Sequence, residues 1–271
     1  MTPIQRSGEL NLSWYPGHMA KAARRMREYL QAVDLIVEVV DARIARSGRA
    51  QLLEDLASRR ASVVALDRAD LADPGTTKQW LRHLSGEGTT ALAVDARARG
   101  SVARIAAAMT RSSQGSGISR AMIVGVPNSG KSTIVNSLLG RAAAKTENRA
   151  GVTRQTQWFR VGPGVELMDT PGVLRPKISD AAARWKLAIC GALPRDVYDP
   201  QEVAAAFHAW LAERSPRTKV PDLPAFAARR GFVRRGGEID YHNAAQSYIR
   251  AFNDGAFGRI SLEGPDDTQT A

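Results

Sequence analysis

The sequence holds a single cysteine, Cys190. That rules out an internal disulfide, fits a reducing compartment, and leaves Cys190 as a small buried apolar residue. No run of about 18 apolar residues occurs, so no transmembrane helix is expected. The first residues lack the basic-then-apolar layout of an export signal. Acidic side chains are in deficit: 27 Asp+Glu face 38 Lys+Arg, a net charge of +11. An excess of that sign favours a polyanionic partner, because each phosphate contact releases condensed counterions. A basic surface kept for solubility is the plain alternative.

What is present suits an ordinary globular chain: 271 residues, 44% hydrophobic and 24% charged, enough for one α/β core and a smaller second unit. Trp14-Tyr15-Pro16-Gly17-His18 reads as a tight turn feeding a helix over 19–32. The β-branched run 34–40 (DLIVEVV) predicts a buried strand, followed by a helix over 49–58, a strand over 62–66, a helix over 76–84, a strand over 91–94 and a helix over 102–110. This alternation predicts a mostly parallel sheet with helices on both faces. Residues 111–120 (RSSQGSGISR) read as a flexible connection, followed by a strand over 121–124 and a helix over 132–139. Two strands, 158–161 and 165–168, form an expected antiparallel pair around Gly162-Pro163-Gly164. From about Ser179 only helices are expected. Asp199-Pro200-Gln201-Glu202 combines an N-cap with proline at the first helical position and a capping-box glutamate, opening a helix with Val203, Phe207, Trp210 and Leu211 on one face. A last helix carries Ala245, Tyr248, Ile249 and Phe252 on one face and stops near Gly255.

Residues 125–132, GVPNSGKS, satisfy G-x-x-x-x-G-K-[ST] with an apolar strand before and a helix after, the context that a phosphate-binding loop requires. Its glycines let backbone N–H groups turn inward, and Pro127, Asn128, Ser129, Gly130, Lys131, Ser132 and Thr133 form the candidate phosphate cradle. Lys131 brings a cation to the β- and γ-phosphates, and Ser132 offers a hydroxyl to Mg²⁺. Asp169-Thr170-Pro171-Gly172 follows a strand. Asp169 can serve Mg²⁺ there and the Gly172 N–H can sense a γ-phosphate, while Thr153, in Gly151-Val152-Thr153, can add a second hydroxyl to the metal.

Guanine is usually read by N-K-x-D downstream of such a loop, and none follows here. The one candidate lies upstream, Asp67-Arg68-Ala69-Asp70, directly after the strand 62–66 and thus at the sheet edge where α/β proteins bind ligands. Asp70 supplies the carboxylate for the base N1–H and amine, and the Arg68 stem can cover the base face. Asp67 departs from the pattern: an ionised aspartate only accepts and would face the N7 acceptor. An acidic loop capping the next element is the alternative. Asp95 and Ala96, after the strand 91–94, complete the candidate guanine set. A P-loop ATPase is disfavoured because Asp70 would repel adenine's ring-nitrogen acceptor.

These residues, with WYPGHMAKA near the start, VDARI at 40–44 and FGRISLE at the end of the helical region, resemble the circularly permuted GTPases of the ribosome biogenesis GTPase A (YlqF-type) family over nearly the whole chain. The resemblance implies a cytoplasmic, Mg²⁺-dependent GTPase that binds GTP and GDP and contacts the large ribosomal subunit through rRNA. It implies a circularly permuted P-loop GTPase domain over 1–178 (base-reading half 1–110, connector 111–120, P-loop and switch half 121–178), then a small all-α RNA-binding domain over 179–263; the short polar tail over 264–271 reads as disordered. A monomer is expected. The water-orienting glutamine of many GTPases is replaced by Val173. The resemblance assigns that role to His18, which otherwise reads as a structural histidine in a turn. Asn128 matches the position that helps hold K⁺ in potassium-dependent relatives, the alternative being an asparagine that caps the loop. Lys21, Arg24 and Arg25 on the first helix, and Arg229, Arg230, Arg234 and Arg235 around Gly231 with Phe232 available to stack, are candidate rRNA contacts. Either group alone can equally be a solvated face. An assembly module that holds nucleotide with little turnover is the second reading of the whole chain.

Overall fold

A computed structural model describes residues 24, 28–49, 61–86, 88–112, 118–140, 157–162, 164–170, 178, 180–214, 219–234 and 236–267. The elements are β1 (Leu35–Asp41), β2 (Ala61–Asp67), α1 (Pro74–Leu84), β3 (Thr89–Ala93), α2 (Arg99–Ser112), β4 (Ser119–Val124), α3 (Lys131–Leu139), β5 (Gln157–Gly162), β6 (Val165–Asp169), α4 (Ala181–Ile189), α5 (Pro200–Arg214), α6 (Leu223–Arg230) and α7 (Tyr241–Asn253). The helix expected over 49–58 lies outside the described residues apart from Arg49.

Six strands form one sheet in the order β3-β2-β1-β4-β6-β5. All pairings are parallel except β5 with β6, the expected antiparallel pair. β1, LIVEVVD, is buried along all seven residues, as a strand covered on both faces must be. Its alternation sorts the two faces. Leu35, Val37 and Val39 join Ile105, Met109, Ile123 and Ile134 beneath α2 and α3, whereas Val40 packs with Leu66 and Trp80 beneath α1.

The strand order reverses between β1 and β4, neighbours in space that are far apart in sequence. Ligands of open α/β sheets bind at such a switch point, beyond the carboxyl ends of the strands. The permuted motif order therefore costs nothing in geometry, since β1 and β2 still end beside the loop that follows β4.

Helices α4 to α7 have their own aromatic core, in which Phe207 meets Phe252 at 5.0 Å and Tyr248 meets Phe257 at 4.7 Å between ring centroids. That core includes Ile44 and Val126, so the helical unit rests on the turn after β1 and on the phosphate loop itself. The tail expected to be disordered is held as far as Asp267. The Arg46 guanidinium donates to the carbonyls of Gly264, Pro265 and Asp267, and Arg214 pairs with the Asp267 carboxylate at 2.6 Å. Residues 268–271 lie outside the described residues.

Candidate functional site

The phosphate loop begins where β4 ends. α3 starts directly after Gly130, whose φ of +101° leaves the first-turn N–H groups open toward an anion. A side chain at Gly130 would be strained, and its Cβ would fall 2.1 Å from Asp67 Oδ2, so this glycine also lets the two halves of the site close on each other. Lys131 is buried, with Nζ donating to the carbonyls of Val126 at 2.7 Å and Gly125 at 3.1 Å. Burial pulls its ammonium down to about 8, against the pull of nearby Asp169. Pro127 and Ser129 are buried, while Asn128, Ser132 and Thr133 are half-buried. Asp169 ends β6 opposite Ile123 in register, and Thr170 Oγ1 donates to the Ile123 carbonyl at 2.6 Å, tying the switch segment to the P-loop strand.

The candidate base-reading motif lies beside this loop. Asp41 and Asp67 are in register at the ends of β1 and β2. Asp67 is buried at 3% exposure rather than lining an open pocket, and its Oδ1 accepts the Ala96 N–H at 2.8 Å. Burial raises its carboxyl to about 6, opposed by the Arg68 and Ala96 amides and the Arg68 charge. Asp70 is exposed. Asp95 is half-buried and accepts the Arg97 N–H, and the Ala96 carbonyl accepts from Ser137 of α3 at 3.0 Å.

Arg68 goes somewhere that the sequence does not show. At φ +58° its guanidinium turns to Asp41 Oδ2 (2.8 Å), the Asn128 carbonyl (3.0 Å) and the Cys190 carbonyl (3.3 Å). Only its stem remains to cover a base. Asn128, at φ +56°, donates Nδ2 to the Gly191 carbonyl at 2.7 Å, which leaves Oδ1 as its remaining side-chain acceptor. Both residues thus bind the turn that ends α4.

Two residues of the VDARI segment, given no role from sequence, organise this seam. Burial acts to raise the Asp41 carboxyl, but Arg43 and Arg68 outweigh it and hold it at about 2. Arg43, 1% exposed, donates from Nε and Nη2 to Asp41 and from Nη2 to Asn253 Oδ1 at 3.0 Å, and lies 4.7 Å from the Phe252 ring centroid. Asn253 in turn donates to the Ile189 carbonyl at 2.6 Å. The signal in the sequence was an aspartate ending a buried, mostly β-branched strand with arginine two residues on, a pairing that burial favours.

Among the candidate RNA residues, Arg229 and Arg230 are exposed at the end of α6, with Arg230 stacked 5.5 Å from the Phe226 ring centroid. Arg234 is exposed but paired with Asp240 at 3.0 Å, and Arg24 with Glu28 at 3.5 Å. Phe232 is half-buried against the helical core rather than free to stack. His18, Lys21, Arg25, Thr153, Gly172 and Arg235 lie outside the described residues.

Known proteins resemble this chain across its length. A family model described as a 50S ribosome-binding GTPase matches residues 120–199. Ribosome biogenesis GTPase A of Priestia megaterium is 35% identical, over 96% of this chain and 99% of its own. The protein of that name from Thermotoga maritima is 32% identical, over 94% and 95%. The crystal structure of GNP-bound YlqF from T. maritima matches with a TM-score of 0.72 at 29% identity, covering 92% of this chain and all of that one. The permuted strand order, the phosphate loop at the switch point and this end-to-end likeness agree: the chain belongs to the ribosome biogenesis GTPase A (YlqF-type) family and is a GTPase.

Proposed function

We propose that this GTPase is an assembly factor for the large ribosomal subunit that binds rRNA and leaves after GTP hydrolysis. The observation that carries this reading is the seam just described, in which the helical unit bonds to the phosphate loop through Asn128–Gly191 and to the loop after β2 through Arg68–Cys190. A change at the nucleotide reaches a second surface through a few hydrogen bonds, as a timer requires. The names of the relatives and of the family model support the ribosomal partner. The working units are 1–178 and 179–263, acting as a cytoplasmic monomer.

The site residues fit Mg²⁺. Ser132, in the first turn of α3, and Asp169, at the end of β6, are hard oxygen donors on adjacent elements, and Thr153 is a third. Bound there, the ion would supply positive charge to offset that of the phosphates. Lys131 and the loop amides hold the phosphates, and the Gly172 amide reports the γ-phosphate. Asp70, with Asp95 and Ala96, reads guanine beside Asp67. Asn128 Oδ1 is the acceptor that K⁺ would use.

His18 orients the attacking water in place of a glutamine. His18→Ala is expected to leave GTP affinity intact while lowering kcat roughly tenfold or more, about 1.4 kcal/mol of transition-state stabilisation. Steady-state turnover with and without large subunits tests both points. Unchanged stimulated turnover in His18→Ala would confine the histidine to a structural role. Wild-type turnover that subunits leave untouched would favour the nucleotide-holding module.

Arg229 and Arg230 are the best-placed rRNA contacts in the helical unit. Reversing both to glutamate should weaken subunit binding and flatten the slope of log affinity against log salt by about one for each phosphate no longer neutralised. GTP affinity of the free protein should not change. Sedimentation with subunits across a salt series is the measurement, and undiminished co-sedimentation places the RNA contact elsewhere.

A further inference from the structure

After α7 the chain, still packed on the helical core through Phe257, Ile260 and Leu262, runs back along the loop that follows β2. Ile260 N–H donates to the Leu71 carbonyl at 3.0 Å. The Arg259 guanidinium spans two more carbonyls, Ala72 at 3.1 Å from Nε and Ala69 at 3.0 Å from Nη2. Ser261 Oγ accepts the Asp73 N–H at 3.0 Å, and Asp73 in turn caps α1 through Thr76. Beyond these, Leu262 N–H donates to the Arg43 carbonyl at 2.7 Å and Trp80 Nε1 to the Glu263 carbonyl at 2.9 Å.

The bonds converge on one short stretch. Residues 69, 71, 72 and 73 each give a backbone group to the strap 259–261, and the residue they bracket is Asp70, whose side chain is exposed. The loop's own ties are few: Ala69 N–H to the Val94 carbonyl and Leu71 N–H to the Arg68 carbonyl. A surface loop held so lightly samples many conformations unless other groups fix it, and each one given up on binding subtracts from affinity.

We infer that Arg259 is a positioning residue for guanine recognition, holding the Asp70 loop in its reading conformation from the C-terminal strap. This rests on Asp70 being the base reader. A guanidinium bridging two carbonyls sets the spacing between residues 69 and 72, and with it the direction in which Asp70 leaves the backbone. Because the strap continues from the helical unit, that unit and the base also become thermodynamically linked: whatever shifts the strap shifts guanine affinity, and the reverse holds.

The test measures GTP, ITP and XTP affinities on the full chain by competition against a fluorescent nucleotide. ITP lacks the 2-amino group and so forfeits one of the two hydrogen bonds to Asp70. Arg259→Ala should weaken GTP about tenfold and ITP much less, shrinking the GTP-over-ITP preference, because a misplaced reader loses its discriminating bond. Arg259→Lys, which reaches only one carbonyl, should give an intermediate preference and serves if the alanine variant does not fold. Equal losses for both nucleotides, or none, would overturn the inference, since a merely structural residue leaves the preference untouched. Asp70→Asn is the separate control on the underlying reading: its amide suits the 2-oxo group of xanthine, so preference should move toward XTP. If it does not, Asp70 is not the reader and the inference falls with it. If it does while Arg259→Ala keeps its GTP-over-ITP preference, only the positioning role is lost.

Discussion

Replacing Lys131 with alanine should lower GTP affinity by at least about a hundredfold, close to 3 kcal/mol, because charge-assisted bonds to phosphate are the strongest the loop can make. The ammonium is already inside the site, its donors shared between the Gly125 and Val126 carbonyls. A lysine has three donors, so one stays available to a phosphate while the other two hold the loop in shape. Alanine removes both services. Lys131→Met keeps the stem and most of the packing, and the two variants together divide charge from scaffold. Calorimetric titration with GTP is the measurement, and near wild-type affinity in both variants would overturn the assignment of this loop.

The second large effect is expected at Asp67. A buried carboxylate whose carboxyl sits near 6, against an ordinary 3.8, is a group that the folded state would rather protonate. The folded chain therefore binds this proton more tightly than the unfolded chain. Its contribution to stability is fully present below about pH 3.8 and is lost as pH rises through about 6. At pH 7.5 the ionised group costs on the order of 1–3 kcal/mol. Asp67→Asn keeps an oxygen for the Ala96 amide and carries no charge, so it should raise the melting temperature by roughly 2–4 °C for each kcal/mol recovered. The gain over wild type should shrink as melts are repeated from pH 7.5 down to 4.5. GTP binding should tighten as well, because an amide can donate to N7 where a carboxylate cannot. Equal melting temperatures at pH 7.5, or weaker GTP binding, would show that Asp67 is already compensated where it meets Gly130.

The sheet was readable because its signals are local. The β-branched run of β1 and the strand–GVPNSGKS–helix succession carry their own periodicity and turn chemistry, and the antiparallel pair announced itself by its Gly-Pro-Gly turn. Element ends were less legible. α1 begins two residues before the expected Thr76 because Asp73 caps it and Pro74 fits its first position, a combination present in the sequence but unread there. The candidate site residues were picked out for the same local reason, whereas their destinations were not legible. The Arg68 stem was expected over a base, and its guanidinium binds the carbonyls of Asn128 and residue 190, partners that no local pattern joins to it. The strap is the extreme case: three of its bonds end on backbone carbonyls, which every residue possesses and no motif can encode.

The chain's one thiol sits at the seam between the phosphate loop and the helical unit. Cys190 is 3% exposed, and burial pushes its thiol up to about 12. Only the thiolate is alkylated, so the closed seam suppresses reaction even before steric exclusion is counted. The rate at which a small alkylating reagent consumes the wild-type protein at neutral pH therefore reports how often α4 parts from Asn128 and Arg68. No second cysteine contributes to the signal. A nucleotide or ribosomal particle that tightens the seam slows the labelling, and one that loosens it speeds the labelling. The protein thus carries its own gauge of the coupling between nucleotide and partner, readable by mass without any engineered probe.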